Sequence, residues 1–454
     1  MYRNLGRTKN NLRRKCMLEK IANKLLPIAT KLSQQRHLSA VKDSFIISMP
    51  LVMGASLFVL LNALGTNFFN TDMFSGIATV VNQGTLGVLS ILIAFTTANN
   101  LADYYLRVKP ELANSGFTKI HAGGLAVALM FMLMPVTQSV VVEGLKDPAI
   151  ISGMFAQELT SSSGLIYSLL TALIGTEIFV RFASIQCLRI KMPENVPPAI
   201  EKSFNALIPE LITITIFAIV VFGLDQIWGV TVPDLIAAMI SKPLSNFVLS
   251  SPGLIFLQFI SDLLWVFGIH GSSILSPIRS APMLDALTQN IAASGAGNSI
   301  PNIVTEPFMN MYGLIGGGGC ILALVIAIFI VSKRKDHKTV AKLGLVPSLF
   351  NISEPIMFGL PVVMNPIFMI PAILVPSINL VIAYILTNMN LVGKVVAQVP
   401  WITPPGFYAF FATGGDFMAA FLSLALLALD VMIYIPFVKV SNKVDENMLS
   451  ENQE

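Results

Sequence analysis

The chain has 454 residues, of which 54% are hydrophobic and 12% charged, about half the roughly 25% charge of a soluble globular domain. Its net charge is +4, and its three cysteines, Cys16, Cys187 and Cys320, lie at spacings that suit neither a zinc site nor a disulfide framework. No Asp, Glu, Lys or Arg occurs in 44–71, 73–102, 307–332 or 355–393; each run exceeds the roughly 20 residues that cross a bilayer, which excludes a soluble core and marks an all-α polytopic membrane protein.

Eleven of the 29 Lys and Arg residues lie before Asp43, against two acids, Glu19 and Asp43. The positive-inside rule places this N-terminus in the cytoplasm, so the basic balance requires no nucleic acid. From Met17, the residues Leu18, Ile21, Ala22, Leu25, Ala29 and Leu32 recur at helical spacing with Lys20, Lys24 and Lys31 between them. That pattern predicts an interfacial helix on the inner leaflet, not a cleavable signal, because lysines interrupt the apolar stripe. Residues 1–43 therefore read as a basic cytoplasmic tail.

Apolar runs predict spans at about 45–65, 83–99, 120–137, 164–181, 206–231, 252–270, 311–332, 365–387 and 417–439. The basic loops around Arg107 and Lys119, around Arg189 and Lys202, and at Lys333, Arg334, Lys335, Lys338 and Lys342 are expected inside, and 66–82, without Lys or Arg, outside. Counting crossings leaves residue 232 outside, so 232–310 must cross an even number of times. Either a second, more polar crossing follows 252–270, or one piece enters and leaves on the same side. Residues 355–393 would extend about 58 Å as a helix against a core of about 30 Å. Prolines at 355, 361, 366, 371 and 376 make a break the expectation, and broken backbone at membrane depth lines a cavity or is buried in protein.

Chemistry concentrates at such breaks. In NISEPIMFGLPVVMNP, residues 351–366, Pro355 disfavours helix at Glu354, and Asn351 and Ser353 add hydrogen-bonding groups. The carboxylate suits a cluster of sugar hydroxyls or satisfies loose backbone amides at a hairpin tip. In SDLLWVFGIHGSS, Asp262 and Trp265 share a helical face, and the helix is expected to end at His270 between Gly268 and Gly271; Trp265 either stacks on a sugar or belongs to an interfacial belt. NIVTEPF at 302–308 echoes NISEP and makes Glu306 a rival carboxylate. Trp401, in VPWITPPGFYAFFATGGD, offers a further aromatic face or a belt residue. GGGG at 316–319 lacks the spacing of a phosphate loop and reads as close helix packing. Glu177 and Arg181 read as a local ion pair, and Asp430 as an intramembrane acid with no nameable partner.

The FGIHG and NISEPIMFGLPVVMNP motifs, with PWITPPG downstream and NALIPE in the fifth span, resemble enzyme IIC, the membrane component of bacterial phosphotransferase sugar permeases, in its lactose, cellobiose and diacetylchitobiose branch. The resemblance covers about residues 17–440. It implies a plasma-membrane homodimer of about ten-span subunits with two re-entrant hairpins and both termini cytoplasmic. The halves are expected at 44–232, for dimerisation, and 233–440, for the sugar site, with a cytoplasmic tail at 441–454. His270 and Glu354 are implied to hydrogen-bond a β-linked disaccharide near its 6-hydroxyl, and Trp265 and Trp401 to stack on its rings. Asn351 and Ser353 complete that wall, with Glu306 as a second one. Ser353 stands where many members have Asn, a difference that bears on sugar specificity.

The family implies a rigid-body step of the site-bearing half and phosphoryl transfer from a partner's phosphocysteine, with no phosphoryl-carrying residue, metal or cofactor in this chain. IIA and IIB are expected as separate chains, because no soluble domain of useful length follows Val440. The competing class is an ion-coupled secondary sugar transporter with Asp262, Asp430 or Glu354 carrying a proton. A membrane-embedded enzyme would need a nucleophile–base pair, and none appears at recognisable spacing.

Overall fold

The computed structural model describes residues 27, 31, 34–69, 74–140, 149–190, 196–360 and 362–451. The expected interfacial helix over 17–32 lies outside them apart from Pro27 and Lys31.

Helix α1, Arg36–Phe69, starts well before the apolar run, because its first turn is anchored. Arg36 Nε and His37 Nε2 reach Glu177 Oε1 at 3.2 and 2.7 Å, and the Tyr105 hydroxyl donates to the same oxygen at 2.5 Å. This corrects the expected Glu177–Arg181 pair: donors from two distant helices satisfy the carboxylate instead. Helices α2, Ser75–Thr85, and α3, Leu89–Val108, follow almost continuously. Then come α4, Lys119–Leu133, started by Thr118, whose hydroxyl accepts from His121 N, and α5, Leu165–Ala183. Leu101, Leu129 and Phe179 bury the seam between α3, α4 and α5. Helix α6, Pro198–Trp228, opens on the proline that its first turn tolerates and stops at left-handed Gly229.

The all-α expectation has one local exception: β1, Thr137–Val140, pairs antiparallel with β2, Ala149–Ser152, between α4 and α5.

The second half begins with α7, Val232–Val248, bent by 76° from α8, Ser251–Trp265. Helix α9, Gly271–Gly295, follows; it carries Pro277, Pro282 and buried Arg279 and is not among the helices apolar enough to cross a membrane. The 306–332 run is broken into α10, Glu306–Gly313, and α11, Ile321–Val331, by a glycine loop. Helices α12, Lys335–Leu349, α13, Glu354–Gly359, and α14, Met369–Asn388, follow. The charge-free 355–393 run does break, at 360–368. Helices α15, Phe407–Ala412, and α16, Phe417–Glu451, complete the described chain. Among the described residues seven helices are long and apolar enough to cross a membrane, or eight counting the bent pair as one.

Two segments turn back on themselves. Helices α12 and α13 pack so tightly that a Cβ on Gly344 would meet Ile356 at 2.1 Å and one on Gly359 would meet Val340 at 2.7 Å. Their tip is Phe350–Ser353, and their base returns to the basic cluster, where Gly359, Leu360 and Asn365 line a pocket with Arg334 and Asp336. There the Arg334 guanidinium, 2.6 Å from Asp336, holds that carboxyl down at about 2. The second segment, 391–416, is closed at its base by Gly393 N donating to Asp416 Oδ2 at 2.6 Å. Higher up, Val396 N donates to Ala412 O at 2.8 Å, leaving Trp401–Thr403 as the tip. The two tips meet, Asn351 Nδ2 donating to the carbonyls of Trp401 and Thr403.

Candidate functional site

The first wall is the break between α8 and α9. The helix ends at Trp265, five residues before the expected His270, and Gly268 turns the chain at φ 82. His270 then starts α9: its Nδ1 accepts from Ser273 N at 3.3 Å and lies 3.0 Å from the Ser273 hydroxyl. That contact fixes the ring and leaves Nε2 pointing away from the helix start. The Trp265 indole lies 4.9 Å from the His270 ring, centroid to centroid, and is 9% exposed.

Behind Trp265 runs the glycine loop, and it corrects the reading of GGGG as helix packing. Gly316, Gly317 and Gly319 have φ of 80, 97 and 73, a region that side-chain-bearing residues avoid. The backbone is there because other groups press on it. A Cβ on Gly318 would stand 2.0 Å from Trp265 Nε1, and one on Gly317 2.7 Å from Ser353 Cβ. From the other side Tyr434 donates its hydroxyl to Gly319 O at 2.6 Å. Asp430 is fully buried and takes a hydrogen bond from Asn379 Nδ2 at 2.9 Å, which names the partner the sequence lacked.

Asn351 occupies the tip of the first hairpin at φ 63. Its Oδ1 accepts from Gly316 N at 2.9 Å, and its Nδ2 donates to Trp401 O at 2.6 Å and Thr403 O at 2.9 Å. Three backbone groups thus consume the amide, and Asn351 holds the wall together. Glu354 opens α13, and the side chain of the N-cap residue Ser353 makes no capping hydrogen bond.

All seven expected residues, Trp265, His270, Glu306, Asn351, Ser353, Glu354 and Trp401, line one cavity of about 230 Å³ that opens to solvent. Glu306 starts α10 as Glu354 starts α13, each followed by proline, so the sequence echo becomes two short helices whose first residues face one space. Trp401 is 51% exposed. Asp262, by contrast, is buried beside Gln258, whose Nε2 donates to it at 2.8 Å; neither it nor Asp430 lines the cavity.

Sequence reasoning missed Asn310, Gln398, Met49 and Met53, which share the lining. Asn310 could have been found, since it lies one turn after Glu306. The methionines reach the cavity from α1, which only the packing of the two halves brings there.

The family model described as Phosphotransferase system, EIIC, matches residues 42–376. The chain is 31% identical to the PTS system oligo-beta-mannoside-specific EIIC component of Bacillus subtilis (strain 168), covering 96% of each chain. It is 30% identical to the PTS system cellobiose-specific EIIC component of Lactococcus lactis subsp. lactis (strain IL1403), over 94% of this chain and 98% of the other. Its fold matches the crystal structure of the transporter ChbC, the IIC component from the N,N'-diacetylchitobiose-specific phosphotransferase system, with a TM-score of 0.85 and 30% identity over 94% of this chain.

Proposed function

We propose that this chain, which belongs to the phosphotransferase system EIIC family and is a permease of that system, carries a β-linked disaccharide. An EIIC permease serves a sugar substrate and works with IIB and IIA components; here those are taken to be separate cytoplasmic chains.

One observation carries the substrate reading. The cavity presents the Glu354 carboxylate, the Glu306 carboxylate and His270 Nε2 without hydrogen-bond partners among the described residues, beside the exposed Trp401 ring. A neutral disaccharide supplies many hydroxyl donors and flat ring faces. Carboxylates accept several hydroxyl bonds each, and aromatic rings give large, rigid contact area. In this reading His270 and Glu354 hold the 6-hydroxyl end, Trp265 and Trp401 flank the rings, Glu306 forms the facing wall, and Ser353 contributes a hydroxyl. Asn351 acts by positioning.

The permease works in this reading as a homodimer joined through residues 44–232, with about ten crossings per subunit and the N-terminus inside. The half at 233–440 moves the sugar inward as a rigid body for phosphorylation by phospho-IIB. The lysine- and arginine-rich loops support the inside position of the N-terminus.

Titration of purified protein with cellobiose, lactose and diacetylchitobiose tests the substrate. At least one should bind and quench tryptophan emission; binding of none would sink the disaccharide reading.

A further inference from the structure

The central cavity accounts for the Glu306 carboxylate but not for the positive charge behind it. Arg279 lies in the middle of α9, between Pro277 and Pro282, and is 6% exposed. Among the described residues it is the only buried Arg or Lys. A guanidinium keeps its proton in a protein, and an unbalanced charge in a dry interior is strongly unfavourable. An acidic group must therefore answer it.

The contacts of its side chain place the guanidinium. Nη1 lies 2.8 Å from Met309 Sδ, and Nε has no hydrogen-bond partner among the described residues. Met309 follows Glu306 by three residues on α10, a spacing that sets the two side chains on one face of that helix. The guanidinium thus rests against the first turn of α10, on the side that carries Glu306. That turn is fixed, because the buried Thr305 hydroxyl accepts from Phe308 N at 3.3 Å.

Two carboxylates act on the charge of Arg279, Glu306 more strongly than Asp262. Asp262 is already held by Gln258 Nε2 at 2.8 Å and stands away from the cavity, whereas Glu306 lines it. A direct ion pair would consume the Glu306 oxygens. A guanidinium that spends a donor on Met309 and acts on Glu306 through space balances the charge and leaves both oxygens to a ligand.

We propose that Arg279 is the positioning residue of the Glu306 wall: its buried charge balances the Glu306 carboxylate from behind and leaves that carboxylate free to accept sugar hydroxyls. The inference rests on the reading of Glu306 as part of the disaccharide site.

Sugar titration of the full-length protein tests it with Arg279→Met, alone and combined with Glu306→Gln or with Asp262→Asn. The probe is whichever of cellobiose, lactose and diacetylchitobiose binds the parent most tightly. Arg279→Met should weaken binding about tenfold, the effect of leaving a carboxylate without its counter-charge. The same loss should appear in the Asp262→Asn background and largely vanish in the Glu306→Gln background, where no carboxylate remains to balance. Arg279→Lys, which keeps the charge, should recover most of the affinity. A merely structural arginine would give equal losses in all three backgrounds, and that result overturns the inference alone; so does a loss that vanishes only with Asp262→Asn. No binding by the parent, or parental affinity in Glu306→Gln, overturns the reading of the site and the inference with it. Should Arg279→Met fail to fold, folding regained in its combination with Glu306→Gln supports the pairing, and failure of both variants overturns it.

Discussion

Asn351 joins the tip of one hairpin to Trp401 at the tip of the other, its Nδ2 donating to the Trp401 carbonyl at 2.6 Å. With its bonds to Thr403 O and Gly316 N, this one amide sets the spacing between the Glu354 wall and the Trp401 wall of the cavity.

Removing it should loosen both walls at once. Asn351→Ala is expected to destabilise the protein by about 1–3 kcal/mol, for backbone groups left without partners, and to weaken disaccharide binding about tenfold, read by thermal unfolding and sugar titration. Asn351→Asp has the same shape but cannot donate to the two carbonyls, so it should behave like the alanine variant. Full affinity in the aspartate variant would show that the donated bonds do not position the site.

Glu354→Gln and His270→Ala should each fold as the parent does while losing about 10- to 100-fold in disaccharide affinity, the scale of hydrogen bonds to charged or strongly polar groups. Titration calorimetry on both variants checks this. Retained affinity in the pair would move the site elsewhere, with Glu306→Gln the next variant to measure.

Trp265→Ala should lower affinity for several disaccharides alike, because a ring face recognises shape more than individual hydroxyls. An unchanged binding profile would leave Trp265 as packing for His270.

Gly318→Ala puts a methyl group where Trp265 Nε1 stands 2.0 Å from the ideal Cβ position. The indole must move, and overpacking of this kind costs about 1–3 kcal/mol. A shifted Trp265 emission maximum together with weaker sugar binding is expected; unaltered emission and binding would mean the glycine loop is slack.

Asp430→Asn separates the family's mechanism from proton coupling. Asp430 is buried behind the glycine loop, and its Oδ2 accepts from Asn379, a role an asparagine carbonyl can fill. Sugar uptake in cells should survive the change, and wild-type proteoliposomes given a pH gradient without phospho-IIB should not accumulate sugar. Uphill accumulation in those vesicles would favour an ion-coupled transporter.

The sequence by itself determined that this chain lives in lipid, that its 355–393 run breaks, and that Glu354 and His270 stand beside breaks. Those features follow from local physics: uncharged runs long enough to span, and prolines at 355 and 366 that cannot continue a helix. The paired Glu-Pro motifs at Glu306 and Glu354 were legible for the same reason, as were His270 and the two tryptophans near glycine and proline. Only the tertiary structure decided what those residues do for one another. Arg36 meets Glu177 across 141 residues and Asn351 meets Trp401 across 50, and no local rule selects one distant partner over another. The glycine run shows the same division. Its composition announced close approach, but that the group approaching would be the Trp265 indole, in a left-handed loop and not between helices, was decided by how α8, α11 and α13 converge.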